Sequence, residues 1–177
     1  MFYNIFYNFR KILKAMNSFS FPPIANFDAK ILILGTMPGK KSLEIQEYYG
    51  FKHNAFWKIM FELFKKDYSD DYEIKKKLIK DNNIALWDTL QFCERKGSLD
   101  SNIKNEEANN FKKFFSQHAN IKHIIFNGKA SYNYFKKYVG LNETFNFYTM
   151  PSTSPANAMK KYEAKFEEWS VIKQLLL

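Results

Sequence analysis

The chain has 177 residues, of which 46% are hydrophobic and 25% charged, so its composition indicates a folded domain with a sizeable core. Lys and Arg number 27 against 18 Asp and Glu, and the resulting net charge of +9 favours an anionic partner such as nucleic acid. The single cysteine, Cys93, excludes internal disulfides and a cysteine-rich metal site, and it suits a reducing cytoplasm.

Residues 1–20 are predicted to form an extension that precedes a single domain covering residues 21–177. Their aromatic run is interrupted by Asn and Arg, whereas a secretory signal has an unbroken apolar centre and a small-residue cleavage site. The extension is interpreted as a docking helix, as an artefact of start-codon choice ahead of Met16, or as a weak amphipathic membrane contact. No apolar run in the sequence is long enough to cross a bilayer.

Four short apolar runs that end in Gly, Pro or a polar turn are predicted to be β-strands. They are residues 30–35, 83–89, 121–128 and 146–151. Helical patterns cover residues 55–66, part of 65–82, 106–117, 129–138 and 155–176. Glu106 and Glu107 are expected in the favourable first turn of their helix, and Ser154 with Pro155 is expected to start the last one.

Alternating strands and helices predict a three-layer α/β domain, because parallel strands require crossover connections. Ligands of such open sheets bind beyond the carboxyl ends of the strands. Polar segments follow all four predicted strands. They are residues 35–39, Asp88-Thr89 with residues 94–101, Asn127-Gly128, and residues 151–155. We expect these segments to converge on one edge of the sheet and to form the functional site there.

The first of these turns, GTMPGKKS, differs from the phosphate-binding loop of NTPases. That loop has one more residue between its glycines and a hydroxyl after the lysine, where this chain has Lys41. Pro38 also removes an N–H from a loop that would donate N–H groups to phosphates. A zinc-dependent nucleobase deaminase is excluded too, because the sequence lacks the H-x-E and P-C-x-x-C ligands.

Four segments carry a resemblance to a known family. They read LGTMPGKKSLEIQEYYGFKHNAFWKIM, LWDTLQFCERKGSLDSNI, FNGKASYNYF and PSTSPANA, in order from about Phe21 to the C terminus. Together they resemble the DNA-deoxyinosine (hypoxanthine-DNA) glycosylases, a branch of the uracil-DNA glycosylase superfamily. The resemblance implies an α/β/α sandwich around a four-stranded parallel sheet. It also implies hydrolysis of the N-glycosidic bond of a deaminated base, foremost hypoxanthine, flipped out of duplex DNA.

The same resemblance implies a monofunctional enzyme that leaves an abasic site and uses no metal or redox cofactor. We expect a monomer that acts on nucleoid DNA in the cytoplasm. Many superfamily members carry a water-activating Asn or Asp in the turn after the first strand, which is absent here. That departure matches the deoxyinosine branch, in which an Asn of the HNAFW block looks catalytically important. Asn54 is therefore expected to position the water or to stabilise the transition state, unless it only caps the following helix.

Further roles are carried over by the same resemblance. Asn127 is expected to read the edge of the base, and Tyr49 is expected to stack on it, with Tyr48 as the alternative. The remaining residues of the base pocket are expected to be Gly35, Thr36, Met37 and Phe56.

The segment after the fourth strand resembles the loop that enters the minor groove, grips phosphates and holds the duplex open. The expected DNA contacts in it are Ser152, Thr153, Ser154, Pro155 and Asn157. Lys40, Lys41 and Lys129 are expected to add phosphate contacts, although each also fits a solvated surface charge. Residues 97–101 match the family and are interpreted as a structural loop near the DNA.

Two alternatives remain open on the sequence. The enzyme could act on uracil, or on a range of bases that includes xanthine, because an Asn amide can read several such edges. It could also be a non-catalytic, basic DNA-binding module on the same fold, which the missing Asn or Asp in the first turn favours.

Overall fold

The structure is a computed structural model, and it describes residues 17–177. The strands are β1 (Asn17–Phe19), β2 (Ile31–Gly35), β3 (Ile84–Asp88), β4 (Leu90–Arg95), β5 (Ile103–Ala108), β6 (His123–Asn127) and β7 (Asn146–Met150). The helices are α1 (Lys40–Ile45), α2 (Phe56–Leu63), α3 (Tyr72–Asp81), α4 (Phe111–Gln117), α5 (Lys129–Tyr138), α6 (Tyr162–Trp169) and α7 (Val171–Leu175). Residues 1–16 of the predicted N-terminal extension lie outside the described part.

The four predicted strands form one parallel sheet in the order β3-β2-β6-β7, which confirms the predicted core of the fold. Every residue of β2 and β3 is buried. Strands of a parallel sheet that is covered on both faces read as continuous apolar runs, and this is why the sequence pattern revealed them.

Helices cover both faces of this sheet, as the α/β/α prediction requires. Leu34 is paired in register with both Trp87 and Phe126, so these three side chains share one face. The Trp87 ring packs on the phenylalanines of α4, and Phe126 packs on Tyr132 and Phe135 of α5. On the other side, α2 contacts both α3 and α6.

A second, antiparallel sheet in the order β1-β4-β5 was not predicted. The expected helix over residues 106–117 is wrong in its first part, because Glu106 and Glu107 belong to β5 and the helix begins at Phe111. Glu106 instead accepts from Lys137 Nζ at 2.9 Å, and Glu107 accepts from Gln91 at 3.1 Å. Asn110 caps the helix through its side chain.

Residues 17–20 were assigned to the extension, but they belong to the fold. β1 pairs with β4, and Ser20 N donates to Gln91 O at 2.9 Å. The Ser20 hydroxyl donates to Asp88 at 2.8 Å, which joins this segment to the end of β3.

The last helix begins later than predicted, and Ser154 with Pro155 does not start it. The helical stripe is divided between α6, which begins at Tyr162, and α7. Ser154 Oγ accepts from Ala156 N at 3.2 Å, and Asn157 donates to Ser152 O at 3.2 Å. Such local side-chain bonds offer the backbone an alternative to a helix, so residues 152–161 form a loop and no helix N-terminus is available there for an anion. No helix within residues 17–177 is both long and apolar enough to cross a membrane.

Candidate active site

A cavity of about 790 Å³ lies at the carboxyl ends of the parallel strands. Residues at the ends of all four strands line it: the turn after β2, Asp88 at the end of β3, Asn127 at the end of β6, and residues 152–157 after β7. Asn54 and residues 98–101 complete the wall. The expected convergence on one edge of the sheet is therefore found, and Asn54 and Asn127 border the same space.

The turn after β2 is held in place by the second sheet. Leu90 N donates to Thr36 O at 3.1 Å, and the buried guanidinium of Arg95 donates to Pro38 O. Ser98 Oγ accepts from Lys40 N at 2.9 Å, at the start of α1. These bonds give the loop over residues 97–101 a definite role, since it supports the turn and forms part of the cavity wall.

Asn127 lies at the end of β6 and is bound to the loop that follows β7. Thr153 N donates to Asn127 Oδ1 at 2.9 Å, and Asn127 Nδ2 donates to Thr153 Oγ1 at 2.8 Å. A primary amide has two N–H donors and two acceptor lone pairs. The Asn127 amide therefore keeps one donor and one acceptor for a ligand, although the residue is only 8% exposed.

Asn54 does cap the following helix, and it also lines the cavity. Its Oδ1 accepts from Phe56 N at 3.0 Å, and this bond identifies which amide atom is the oxygen. Among the described residues, Nδ2 has no hydrogen-bond partner. The next residue, Ala55, donates its N–H to Thr153 O at 3.0 Å. The Asn54 segment and the Thr153 segment are thus directly joined.

The two tyrosines of the first block have different environments. Tyr49 lines the cavity, and the ring of Phe56 stacks on it at a centroid distance of 4.0 Å. Phe56 is fully buried and does not line the cavity, so its expected place in the base pocket is wrong and its contact is with Tyr49 instead. Tyr48 also lines the cavity, but it is almost fully buried, and its hydroxyl donates to Phe21 O at 3.0 Å.

A buried carboxylate, Asp88, contributes to the floor of the cavity and was not proposed as a site residue. Burial, assisted by the nearby Asp100 carboxylate, raises its pKa to about 7, although the Ser20 hydrogen bond and Arg95 oppose the rise. Burial also raises the pKa of Asp100, whose Oδ1 lies 3.6 Å from Arg95 Nη1. The sequence did place Asp88 at a strand end, but its burial and its neighbours depend on segments far away along the chain.

The expected DNA contacts divide into those at the cavity and one outside it. Lys40 and Lys41 are exposed at the cavity wall, and Lys41 Nζ lies 3.3 Å from a Glu44 carboxylate oxygen. Lys129 is exposed at the start of α5 but does not line the cavity. In the loop after β7, the lining residues include Ser152, Thr153, Ser154, Pro155 and Asn157. Within residues 17–177, no three His, Cys, Asp or Glu side chains are grouped to hold a metal ion.

Comparison with known proteins gives one consistent family. The Uracil DNA glycosylase superfamily matches residues 22–175. A protein from Methanosarcina acetivorans named hypoxanthine DNA glycosylase is 33% identical over 154 residues, which cover 86% of this chain and 95% of the relative. A protein of the same name from Methanosarcina barkeri is 37% identical over 120 residues, which cover 67% of this chain and 76% of the relative.

A solved structure supports the same assignment. It is an NMR structure from Methanosarcina acetivorans, provisionally named a uracil DNA glycosylase, and it aligns with a TM-score of 0.78 at 32% identity. The alignment covers 90% of this chain and 99% of the other. Since the superfamily match spans nearly the whole described domain and the sheet and its cavity agree with it, the chain belongs to the uracil-DNA glycosylase superfamily.

Proposed function

We propose that the protein hydrolyses the N-glycosidic bond of hypoxanthine in DNA and leaves an abasic site. The observation that carries this proposal is the cavity at the carboxyl ends of the strands, which Asn54, Asn127 and Tyr49 all line. The names of the two Methanosarcina relatives support hypoxanthine as the base. The target base must leave the duplex stack to enter such a cavity, at a cost of a few kcal/mol that is smallest at a mispair.

The pocket offers neutral polar groups to the flipped base. Asn127 has one N–H and one lone pair remaining after its two bonds to Thr153, so it can both donate to and accept from a base edge. Phe56 stacks on the ring of Tyr49, and this contact supports a ring that we expect to stack on the base. Backbone groups of Thr36 and Met37 contribute to the wall.

Asn54 is the residue that we assign to the reacting bond. Bond cleavage produces an oxocarbenium-like sugar and places negative charge on the leaving base. The Nδ2 donor can stabilise that charge, and the second lone pair of Oδ1 can hold the attacking water. Loss of one such donor typically lowers a rate by about 10²–10³.

The rim of the cavity suits a polyanion. The chain carries a net charge of +9, and Lys40 and Lys41 lie exposed beside the opening. The hydroxyls and backbone N–H groups of the loop after β7 are suited to phosphate contacts. We place the DNA backbone along this loop, so that the sugar of the flipped nucleotide lies at the mouth of the cavity.

The test is base release from matched duplexes that contain a single deoxyinosine, deoxyuridine or deoxyxanthosine. We expect release of hypoxanthine, detected as alkali-labile sites without strand cleavage before alkali treatment. Release of uracil without release of hypoxanthine would overturn the choice of base and favour the uracil alternative. Binding to these duplexes without any alkali-labile sites would identify a non-catalytic DNA-binding module.

A further inference from the structure

Asp88 is the one carboxylic acid among the described lining residues that is nearly fully buried. It ends β3 and is paired in register with Gly35, the last residue of β2. Its Oδ1 packs so closely over Gly35 that a Cβ there would overlap with it, and the same Cβ would lie 3.1 Å from Tyr49 Oη. Asp88 and Tyr49 therefore both lie against Gly35 at the floor of the cavity, where the absence of a side chain leaves room for them.

The surroundings of Asp88 come from several elements of both sheets. Its Oδ2 accepts a hydrogen bond from the Ser20 hydroxyl. The charged groups that act on it are Arg95 and Asp100, and the titratable groups near it are Tyr48, Tyr49, Tyr72 and Cys93. Burial raises the pKa of both Tyr48 and Tyr49, so these phenols stay neutral and Asp88 is the floor group able to exchange a proton near neutral pH.

A flipped base enters with its sugar tethered to the DNA at the mouth of the cavity. A group on the floor therefore meets an edge of the base remote from the sugar. In hypoxanthine, O6 and N7 lie side by side on one edge, and both are acceptors. A carboxylic acid at the floor can donate to this edge, whereas a carboxylate there would repel the charge that grows on the leaving base.

We propose that Asp88 is a catalytic general acid that delivers a proton to the O6/N7 edge of the departing purine. This inference rests on the proposed function. The C1′–N9 bond breaks with its electron pair moving into the base, and the Asp88 proton passes to N7. Neutral hypoxanthine leaves and Asp88 becomes a carboxylate. Water adds to C1′ through its oxygen, and the proton it loses restores the acid.

The direction of the pH dependence follows from this role. The acid form is the active one, and burial holds the pKa of Asp88 at about 7. Single-turnover release of hypoxanthine should therefore be fastest below this pH and should fall as the pH rises through it. The Asp100 carboxylate raises the pKa of Asp88. Its neutralisation in Asp100→Asn should therefore move the fall in rate to lower pH.

The experiment measures single-turnover release against pH for the wild type, Asp88→Asn and Asp100→Asn, with Asp28→Asn as a control. Asp28 is an exposed acid that does not line this cavity. Asp88→Asn keeps the size of the side chain and removes the transferable proton. We expect this substitution to slow release by at least about 10²-fold at pH 6 and to abolish the decrease in rate near pH 7.

Two further measurements separate a chemical role from a structural one. Asp88→Asn should still bind a duplex carrying a cleavage-resistant, 2′-fluorinated deoxyinosine within a few-fold of the wild type. The carboxyl ¹³C resonance of Asp88 should titrate near neutral pH in the free protein. An Asp88→Asn enzyme with the wild-type rate and pH profile would overturn the role assigned to Asp88 and leave the proposed function intact. Absence of hypoxanthine release by the wild type would overturn the proposed function, and the assignment with it.

Discussion

Asn54 accepts the backbone N–H of Phe56 through Oδ1 at 3.0 Å, so its amide nitrogen is the donor left for the cavity. Capping and catalysis therefore use different atoms of one side chain. This division means that variants can remove one role and keep the other.

Asn54→Ser should keep the cap and lose the amide. Serine is a good N-cap, so we expect the free energy of unfolding to change by less than about 0.5 kcal/mol, while hypoxanthine release falls by about 10²–10³. Asn54→Ala should show the same loss of rate together with about 1 kcal/mol of lost stability. Single-turnover release and urea denaturation measure the two effects. If Asn54→Ser cleaves as fast as the wild type, Asn54 is only a cap.

Gly35→Ala should damage the floor of the cavity. Its Cβ would overlap with Asp88 Oδ1 and lie 3.1 Å from Tyr49 Oη, so both side chains must move. We expect a loss of about 1–3 kcal/mol in stability and a lower rate of release. Gly39→Ala is the matched control in the same turn, because its Cβ would meet Ser98 at 3.6 Å or more. Equal effects of the two substitutions in denaturation and release assays would contradict this account.

Thr153→Val should weaken the attachment of the loop to Asn127. The backbone bond to Asn127 Oδ1 remains, but Nδ2 loses the Oγ1 acceptor that lies 2.8 Å away. A buried donor without a partner costs about 1–3 kcal/mol, and the amide is then oriented by one hydrogen bond instead of two. Thr153→Ser keeps the hydroxyl and should retain most of the activity. A Thr153→Val protein as stable and active as Thr153→Ser would show that the side-chain bond is dispensable.

Burial of Asp88 should make stability depend on pH in an unusual direction. Its pKa rises from 3.8 to about 7 on folding, so between these values the folded state binds the proton and the unfolded state does not. The Asp88 contribution to stability therefore falls as the pH rises from about 4 to about 7. Urea denaturation measures the free energy of unfolding of Asp88→Asn and of the wild type. The difference, variant minus wild type, should be larger at pH 7.5 than at pH 5. A constant difference across this range would mean that Asp88 titrates normally.

The parallel sheet could be predicted because both its faces are covered. Residues such as Ile33 and Leu86 lie in runs that are apolar at nearly every position, and these runs stand out in the sequence. The antiparallel sheet gives no such signal. Glu106 and Glu107 resemble the first turn of a helix, and the contacts that they make in the strand come from distant residues, among them Lys137 and Gln91.

The site was predictable to a similar extent. Asn54 and Asn127 were expected from the resemblance, and the strand ends indicated the edge of the sheet at which Asn127 lies. Phe56 was misplaced because a sequence pattern does not show which of two stacked aromatic rings, Tyr49 or Phe56, faces the cavity. The environment of Asp88 depends on Ser20 and Asp100, which belong to other segments, so neither the spacing nor the type of the residue could reveal its raised pKa.

The bond from Ala55 N to Thr153 O joins two walls of the cavity that are almost a hundred residues apart in sequence. The Asn54 wall and the DNA-facing loop are consequently oriented relative to one another before any duplex arrives. Their loss of conformational entropy accompanies folding rather than binding. The free energy of binding to the duplex is then available to extrude a nucleotide, because none of it is needed to order these two walls.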